Sequence, residues 1–135
     1  MVINVAINGF GRIGRAAFKI ACKNKNIKIV AINDLTDTKT LAHLLKYDTA
    51  YGSYSGKIAS DKKHIIVDGK KYPILSQKDP GKLPWKRMKI DVVIECTGLF
   101  RTSAKAQPHI KAGAKQVLIS APARSDDVPT FLIGV

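Results

Sequence analysis

The sequence predicts an α/β domain built on a doubly wound, mainly parallel sheet with a small antiparallel β insertion. Three observations lead there. Short apolar, β-branched runs alternate with segments of helical period along most of the chain. A G-x-G-x-x-G turn at Gly9, Gly11 and Gly14 joins the first apolar run to the first helical one. Between Gly52 and Gln77 the alternation gives way to closely spaced short β runs, with the hairpin signal Asp68-Gly69 between two of them.

The elements follow in order. Val2 to Asn8 (VINVAIN) reads as a buried strand. After the glycine turn, Ile13, Ala16, Ala17, Ile20 and Ala21 recur at helical spacing, which predicts that they form the buried stripe of the first helix. KIVAIN, ending at Asn33, is a second buried strand. TKTLAHLLKY, from Thr38, is a second helix with Thr36 or Asp37 as its N-cap. In the insertion the runs KIAS, HIIVD and KKYPILS read as strands. DPGKLPW is a proline-punctuated loop with room for one helical turn. DVVIE, ending at Glu95, is a third core strand, and Ser103 to Ala112 a third helix. Pro108 is expected to bend that helix or to sit near its start, and Gly113 to terminate it. QVLIS and FLIGV, the latter from Phe131 to Val135, complete the strand set.

Composition bounds the function. At 135 residues the chain is one domain by length, with 45% hydrophobic and 24% charged residues, as in ordinary globular proteins. No apolar run reaches the roughly 20 residues that cross a bilayer, and no secretory leader is recognisable. Cys22 and Cys96 fit neither a disulfide framework nor a C-x-x-C site, which predicts a reducing, cytoplasmic setting. The net charge of +13 raises nucleic-acid binding as an alternative. The basic residues are scattered in pairs such as Lys62-Lys63 and Lys70-Lys71, so a solvated lysine-rich surface is the simpler account.

The glycine turn carries the chemistry. It follows a buried strand and opens an amphipathic helix, the context of a dinucleotide-binding, Rossmann-type turn. Gly9 permits the tight turn, Gly11 lets a pyrophosphate approach the backbone, and Gly14 lets helix and strand pack closely. Phe10, Arg12 and Ile13 lie within the same loop. The helix N-terminus adds free N–H groups and a positive dipole end, and Arg12 and Arg15 add charge. The second strand ends in Asn33-Asp34, and Asp34 stands 20 residues beyond Gly14, where an acidic residue accepts from the adenosine ribose hydroxyls. A charged hydrogen bond of this kind is worth about 1.5–3 kcal/mol, roughly tenfold to a hundredfold for NAD over NADP. Thr97-Gly98 and Ser120-Ala121-Pro122 fall at the carboxyl ends of later strands, where open parallel sheets bind ligands. The remaining polar candidates read as structural. Cys96 reads as a buried thiol rather than a nucleophile. His43, His64 and His109 form no metal pair, Trp85 is an anchor, and Glu95 is a buried carboxylate of open role.

Longer stretches carry a resemblance. INGFGRIGR, AINDL, LAHLLKYDTAYGSYSG, DPGKLPW, DVVIECTGLF, HIKAGAKQVLISAPA and FLIGV, in that order from residue 3 to 135, resemble the N-terminal half of glyceraldehyde-3-phosphate dehydrogenase. The resemblance implies a cytoplasmic, glycolytic NAD-dependent oxidoreductase that is a homotetramer when complete, with residues 1–135 an incomplete NAD-binding domain and 52–77 its insertion. It implies that Arg12 and Ile13 meet the pyrophosphate and that Asp34 holds the ribose. Leu35 would suit NAD, and Lys78, at a position usually arginine, would place its backbone near the adenine. Thr97, Gly98 and Phe100 would border the adenine and ribose, and Ser120 would lie toward the nicotinamide.

The family's nucleophilic cysteine lies in an S-C-T-T-N segment that this sequence does not contain. Its activating histidine, phosphate pockets and nicotinamide-orienting asparagine are also absent, and neither Cys22 nor Cys96 matches the nucleophile. The expectation is a fragment that binds NAD, assigns no catalytic or metal-ligating residue, and needs a C-terminal catalytic half. The alternatives are a fragment of the related erythrose-4-phosphate dehydrogenase, or a stand-alone dinucleotide- or nucleic-acid-binding module.

Overall fold

A computed structural model describes residues 1–48 and 52–131; the FLIGV segment lies outside these residues except for Phe131. The first half contains β1 (Ile3–Asn8), α1 (Arg12–Ala21), β2 (Ile27–Asn33) and α2 (Thr38–Lys46). Then come β3 (Tyr47–Asp48), β4 (Gly52–Ser53), β5 (Ile58–Ser60), β6 (His64–Val67) and β7 (Lys70–Leu75). After a 3-10 turn at Pro80–Lys82, the chain forms β8 (Val92–Glu95), α3 (Ser103–Lys111) and β9 (Gln116–Ile119). The main sheet has the order β5-β6-β7-β2-β1-β8-β9, and β3 and β4 make a separate antiparallel pair. Strands β7, β2, β1, β8 and β9 run parallel, while β5, β6 and the first part of β7 pair antiparallel. The order reverses at β1, so the crevice between the carboxyl ends of β1 and β8 is the topological switch point.

Each face of the sheet has its own core. On one, Val5 and Ile7 of β1 and Ile29 and Ile32 of β2 pack with Phe18 of α1 and Leu41 and Leu45 of α2. Edge-to-face contacts run from Phe10 through Phe18 to Tyr72, with ring centroids 5.6 and 4.9 Å apart. On the other, Ala6, Ala31 and Val93 pack with Leu83, Trp85 and Ile90, and α3 buries Ala106 and His109. Asp37 is the N-cap of α2, accepting from Thr40 N at 2.8 Å. Asp68 and Gly69 both have positive φ, as a two-residue hairpin turn requires.

One expectation is corrected and another is narrowed to one of its two alternatives. The first helix buries Gly14, Phe18 and Ala21, whereas Ile13 and Ile20 are exposed. The face is set by Gly14, where the helix closes on the turn and on β1: a Cβ there would lie 2.2 Å from the Gly9 carbonyl oxygen and 3.2 Å from Ile7 Cγ2. The large Phe18 follows one turn later and fills the space beyond. Pro108 stands at the sixth residue of α3, not near its start, and leaves the Ala104 carbonyl without its i+4 donor.

The second face ends in a polar ladder. Asn33, Asn8 and Glu95 are the last residues of β2, β1 and β8, and they stand in register, Asn33 opposite Asn8 and Asn8 opposite Glu95. All three are buried, as is His109 beneath them. Asn33 Nδ2 donates to Asn8 Oδ1 at 2.8 Å and Asn8 Nδ2 donates to Glu95 Oε2 at 2.7 Å. His109 Nε2 reaches the same Oε2 at 2.7 Å. Trp85 Nε1 donates to His109 Nδ1 at 3.0 Å. An indole nitrogen only donates, so Nδ1 is the bare nitrogen and Nε2 carries the proton given to Glu95. Burial pushes the Glu95 carboxyl up, but bonds from His109, Thr97 and Asn8 together outweigh it and hold the group below its ordinary value.

These arrangements give two expectations. Gly14→Ala gains about 1 kcal/mol of helix propensity, yet the 2.2 Å overlap with backbone forces helix and turn apart. The net result is a loss of roughly 1–3 kcal/mol, read as a lower thermal midpoint. The Glu95 shift is downward, so the folded state binds fewer protons than the unfolded one below neutrality. Its contribution is complete above the ordinary carboxylate pKa and is lost as pH falls through the folded value. Urea melts of wild type and Glu95→Gln then differ by about 1–3 kcal/mol at pH 7, and the difference narrows at pH 3–4. A gap that widens in acid contradicts this reading.

Candidate functional site

The switch point opens into a cavity of about 670 Å³. Asn8 and Asn33, the ladder residues, lie in its lining between two walls. One wall is Asp34, Leu35, Gln77, Lys78, Asp79 and Pro80; the other is Cys96, Thr97, Leu99 and Phe100, with Gly9 and Gly11 at the turn.

The three glycines do different work. Gly9 has φ +91°, and a Cβ on it would meet Thr97 Cγ2 and the Thr97 nitrogen at 2.9 Å, so both its conformation and its space require glycine. Gly11 is the N-cap of α1 in extended conformation (φ −82°, ψ −157°), which any residue adopts. A Cβ on Gly11 would meet nothing within 4 Å. Gly11 is thus an open position in the cavity lining. No side chain caps α1, so the first N–H groups of the helix have no side-chain acceptor at Gly11. Such a terminus, beside Arg12 and Arg15, suits an anionic group.

Asp34 has a structural duty as well as a place in the cavity. Its Oδ2 accepts from Phe10 N at 2.7 Å and its Oδ1 from Thr36 N at 2.9 Å. The carboxylate thereby ties the glycine turn to the end of β2. Phe10 contributes backbone only; its ring is buried in the apolar core. Arg15 Nη1 donates to Phe10 O at 3.1 Å, and its buried Nε has no partner.

Each wall is pinned to the ladder. Asn33 makes a two-way bond with Gln77, accepting from Gln77 N at 2.9 Å and donating to Gln77 O at 2.8 Å. Gln77 Oε1 in turn accepts from Asp79 N, and Asp79 caps the 3-10 turn through Gly81 N. Opposite, Glu95 Oε1 accepts from Thr97 N at 3.0 Å and from the Thr97 hydroxyl, whose oxygen accepts from Leu99 N at 3.1 Å.

Of the residues named from sequence, the cavity gathers Gly9, Gly11, Asn33, Asp34, Leu35, Lys78, Thr97 and Phe100. Arg12, Ile13 and Gly14 form the start of α1 beside the turn, and Gly98, with φ +75°, shapes the loop between Thr97 and Leu99. Ser120 stands apart, lining a second cavity beside β9, with its Oγ donating to Glu95 O at 3.0 Å. Asn8, Gln77, Asp79, Pro80, Cys96 and Leu99 were not picked out for the cleft. For Asn8 the signal is the repeated strand ending AIN, AIN, VIE, which places it in one phase with Asn33 and Glu95. Cys96 and Cys22 are free, and burial pushes both thiols up, against a nucleophilic role for either. The described residues hold no metal-ligating cluster of three, and none of their helices is long and apolar enough to cross a membrane.

Comparison with known proteins agrees with this geometry. The family model described as "Glyceraldehyde 3-phosphate dehydrogenase, NAD binding domain" matches residues 3–103. The glyceraldehyde-3-phosphate dehydrogenase of Thermotoga maritima is 54% identical over 132 residues, covering 96% of this chain and 39% of the relative. Those of Mycoplasma pneumoniae and Geobacillus stearothermophilus are 50% and 46% identical, covering 98% and 100% of this chain and 40% of each relative. The chain thus spans about 40% of the length of these curated relatives. With a strand-turn-helix glycine loop, an acidic residue at the end of β2 and this similarity along its whole length, the chain belongs to the glyceraldehyde-3-phosphate dehydrogenase family, in the part that forms its NAD-binding domain.

Proposed function

We propose that the chain binds NAD in the switch-point cavity and serves as the cofactor half of an enzyme that oxidises and phosphorylates glyceraldehyde 3-phosphate in glycolysis. The observation that carries this reading is Gly11: glycine is not needed there for backbone conformation, a Cβ on it would meet nothing within 4 Å, and it lines the cavity at the start of a helix that no side chain caps. Those features fit a pyrophosphate. When bound, NAD supplies the hydride acceptor; the residues of this chain bind and orient it.

In this reading Gly9, Gly11, Arg12, Ile13 and Gly14 surround the pyrophosphate, and the Asp34 carboxylate takes the adenosine ribose hydroxyls while keeping its bond to Phe10 N. Leu35, Lys78, Thr97, Gly98 and Phe100 border the adenine and ribose, Asn33 lies on the floor, and Ser120 faces the nicotinamide side. The reacting thiol and its activating histidine come from a catalytic half, in a homotetramer in the cytoplasm, a setting that suits the two free cysteines.

Titration calorimetry on the chain is expected to show NAD binding, with NADP weaker by roughly tenfold to a hundredfold through repulsion of its 2′-phosphate by Asp34. Asp34→Asn narrows that preference. Gly11→Ala is expected to keep the thermal midpoint while weakening NAD by roughly tenfold, the equivalent of about 1.4 kcal/mol. Equal loss of stability and affinity contradicts the role given to Gly11. The chain alone forms no NADH from glyceraldehyde 3-phosphate and phosphate, and NADH appears when the catalytic half is supplied; turnover without it sinks the proposal.

A further inference from the structure

The direction of every bond in the ladder can be read from its two ends. At one end the Gln77 backbone fixes the Asn33 amide: the Gln77 N–H must face Oδ1 and the Gln77 carbonyl must face Nδ2. Asn33 therefore donates to Asn8 Oδ1, which turns Asn8 Nδ2 toward Glu95. At the other end, the Trp85 indole donates to His109 Nδ1, which turns the His109 Nε2–H toward Glu95. On its second oxygen Glu95 meets the N–H and hydroxyl of Thr97. Donors converge on position 95 from three sides, and an ionised carboxylate meets all of them as an acceptor with no O–H of its own to place.

We propose that Glu95 is a positioning residue for the cofactor cleft, acting as the anionic keystone that fixes the Thr97–Leu99 wall directly and the Gln77–Asp79 wall through Asn8 and Asn33, with His109 oriented by Trp85 to complete it. The proposal rests on the cavity being the NAD site. Neither Glu95 nor His109 lines that cavity; both act on the cofactor through the walls they hold. A glutamine at 95 turns one NH₂ toward a donor wherever it points. If it faces Thr97, that wall is released. If it faces Asn8 and His109, the reversal runs to the fixed Gln77 N–H or to the fixed Trp85 N–H, where it meets a second donor. A glutamine at 109 is different, because its Nε2 donates to Glu95 and its Oε1 accepts from Trp85, keeping every direction.

The test compares Glu95→Gln, His109→Phe and His109→Gln with the wild-type chain by amide hydrogen exchange without ligand and by NAD calorimetry. In Glu95→Gln the Thr97 and Gln77 amides, on opposite walls, are expected to accelerate at least tenfold more than the Ile7 and Val93 amides, which follow only the loss of global stability. NAD weakens by tenfold or more. His109→Phe follows Glu95→Gln, and His109→Gln stays within about threefold of wild type in both readouts. Faster exchange at Thr97 with Gln77 unchanged overturns the cross-cleft role. So does acceleration of the sheet-core amides equal to that of the walls, which marks a purely structural role, and so does unchanged NAD affinity in Glu95→Gln beside tight wild-type binding. If wild type binds no NAD while the exchange pattern is as expected, the NAD reading fails and the cross-cleft keystone stands on the exchange data.

Discussion

The buried carboxylate of Glu95 is the constraint on which the rest of this site depends. It has no cationic partner among its bonds; its charge is balanced by neutral donors from β1, α3 and the loop after β8. A group stabilised this way cannot move by itself, because each displacement leaves a buried donor unsatisfied at a cost of about 1–3 kcal/mol. That cost holds three elements distant in sequence at one point, and that point lies where the strand order reverses. The cavity exists because the chain leaves β1 and β8 toward helices on opposite faces of the sheet; its shape is fixed because their last side chains are bonded to one another below it.

The glycine turn is tied into the same frame from above. Gly9 sits against Thr97 so closely that no Cβ fits between them, and Thr97 is held by Glu95 through both its N–H and its hydroxyl. On the other side Asp34 holds the Phe10 N–H. The turn is thus located by a steric contact on one flank and a charged hydrogen bond on the other. Binding an anionic cofactor then requires little ordering of the loop, which reduces the entropic cost of association. Asp34 has two oxygens for two tasks, since holding the turn uses one lone-pair direction of Oδ2 and leaves others for a hydroxyl donor.

Much of this was legible in the sequence, and the exceptions have physical reasons. Strands and the glycine turn were readable because their signals are local: a β-branched run, a strand-to-helix junction, an aspartate at the right distance. The buried face of α1 was misread because Ile13 and Ile20 outweigh Gly14 on any hydrophobicity scale, although Gly14 is where helix and strand touch. The ladder was not read because it is made between strands, and register does not follow from composition. Glu95 was recognised as a buried carboxylate, but its partner His109 lies 14 residues away on a helix of weak apolar pattern. The clue was present in the phase shared by the endings AIN, AIN and VIE, each placing a polar residue two positions after a small or β-branched residue of the same face.

The antiparallel insertion belongs to this frame rather than hanging from it. Strand β7 pairs antiparallel with β6 from Lys70 to Pro73, then parallel with β2 at Ile74 and Leu75. Pro73 is the last residue of the antiparallel pairing, where its missing N–H removes a ladder bond and eases the change of partner. Leu75 O then accepts from Asp34 N, and two residues later Gln77 locks onto Asn33. A one-residue slip in the hairpin at Asp68-Gly69 would turn the side chains of β7 to the other face and carry Gln77 away from Asn33. The register of a surface hairpin therefore sets one wall of the cleft. The strict geometry of that turn, with Asp68 and Gly69 both at positive φ, is part of how the chain builds the cleft.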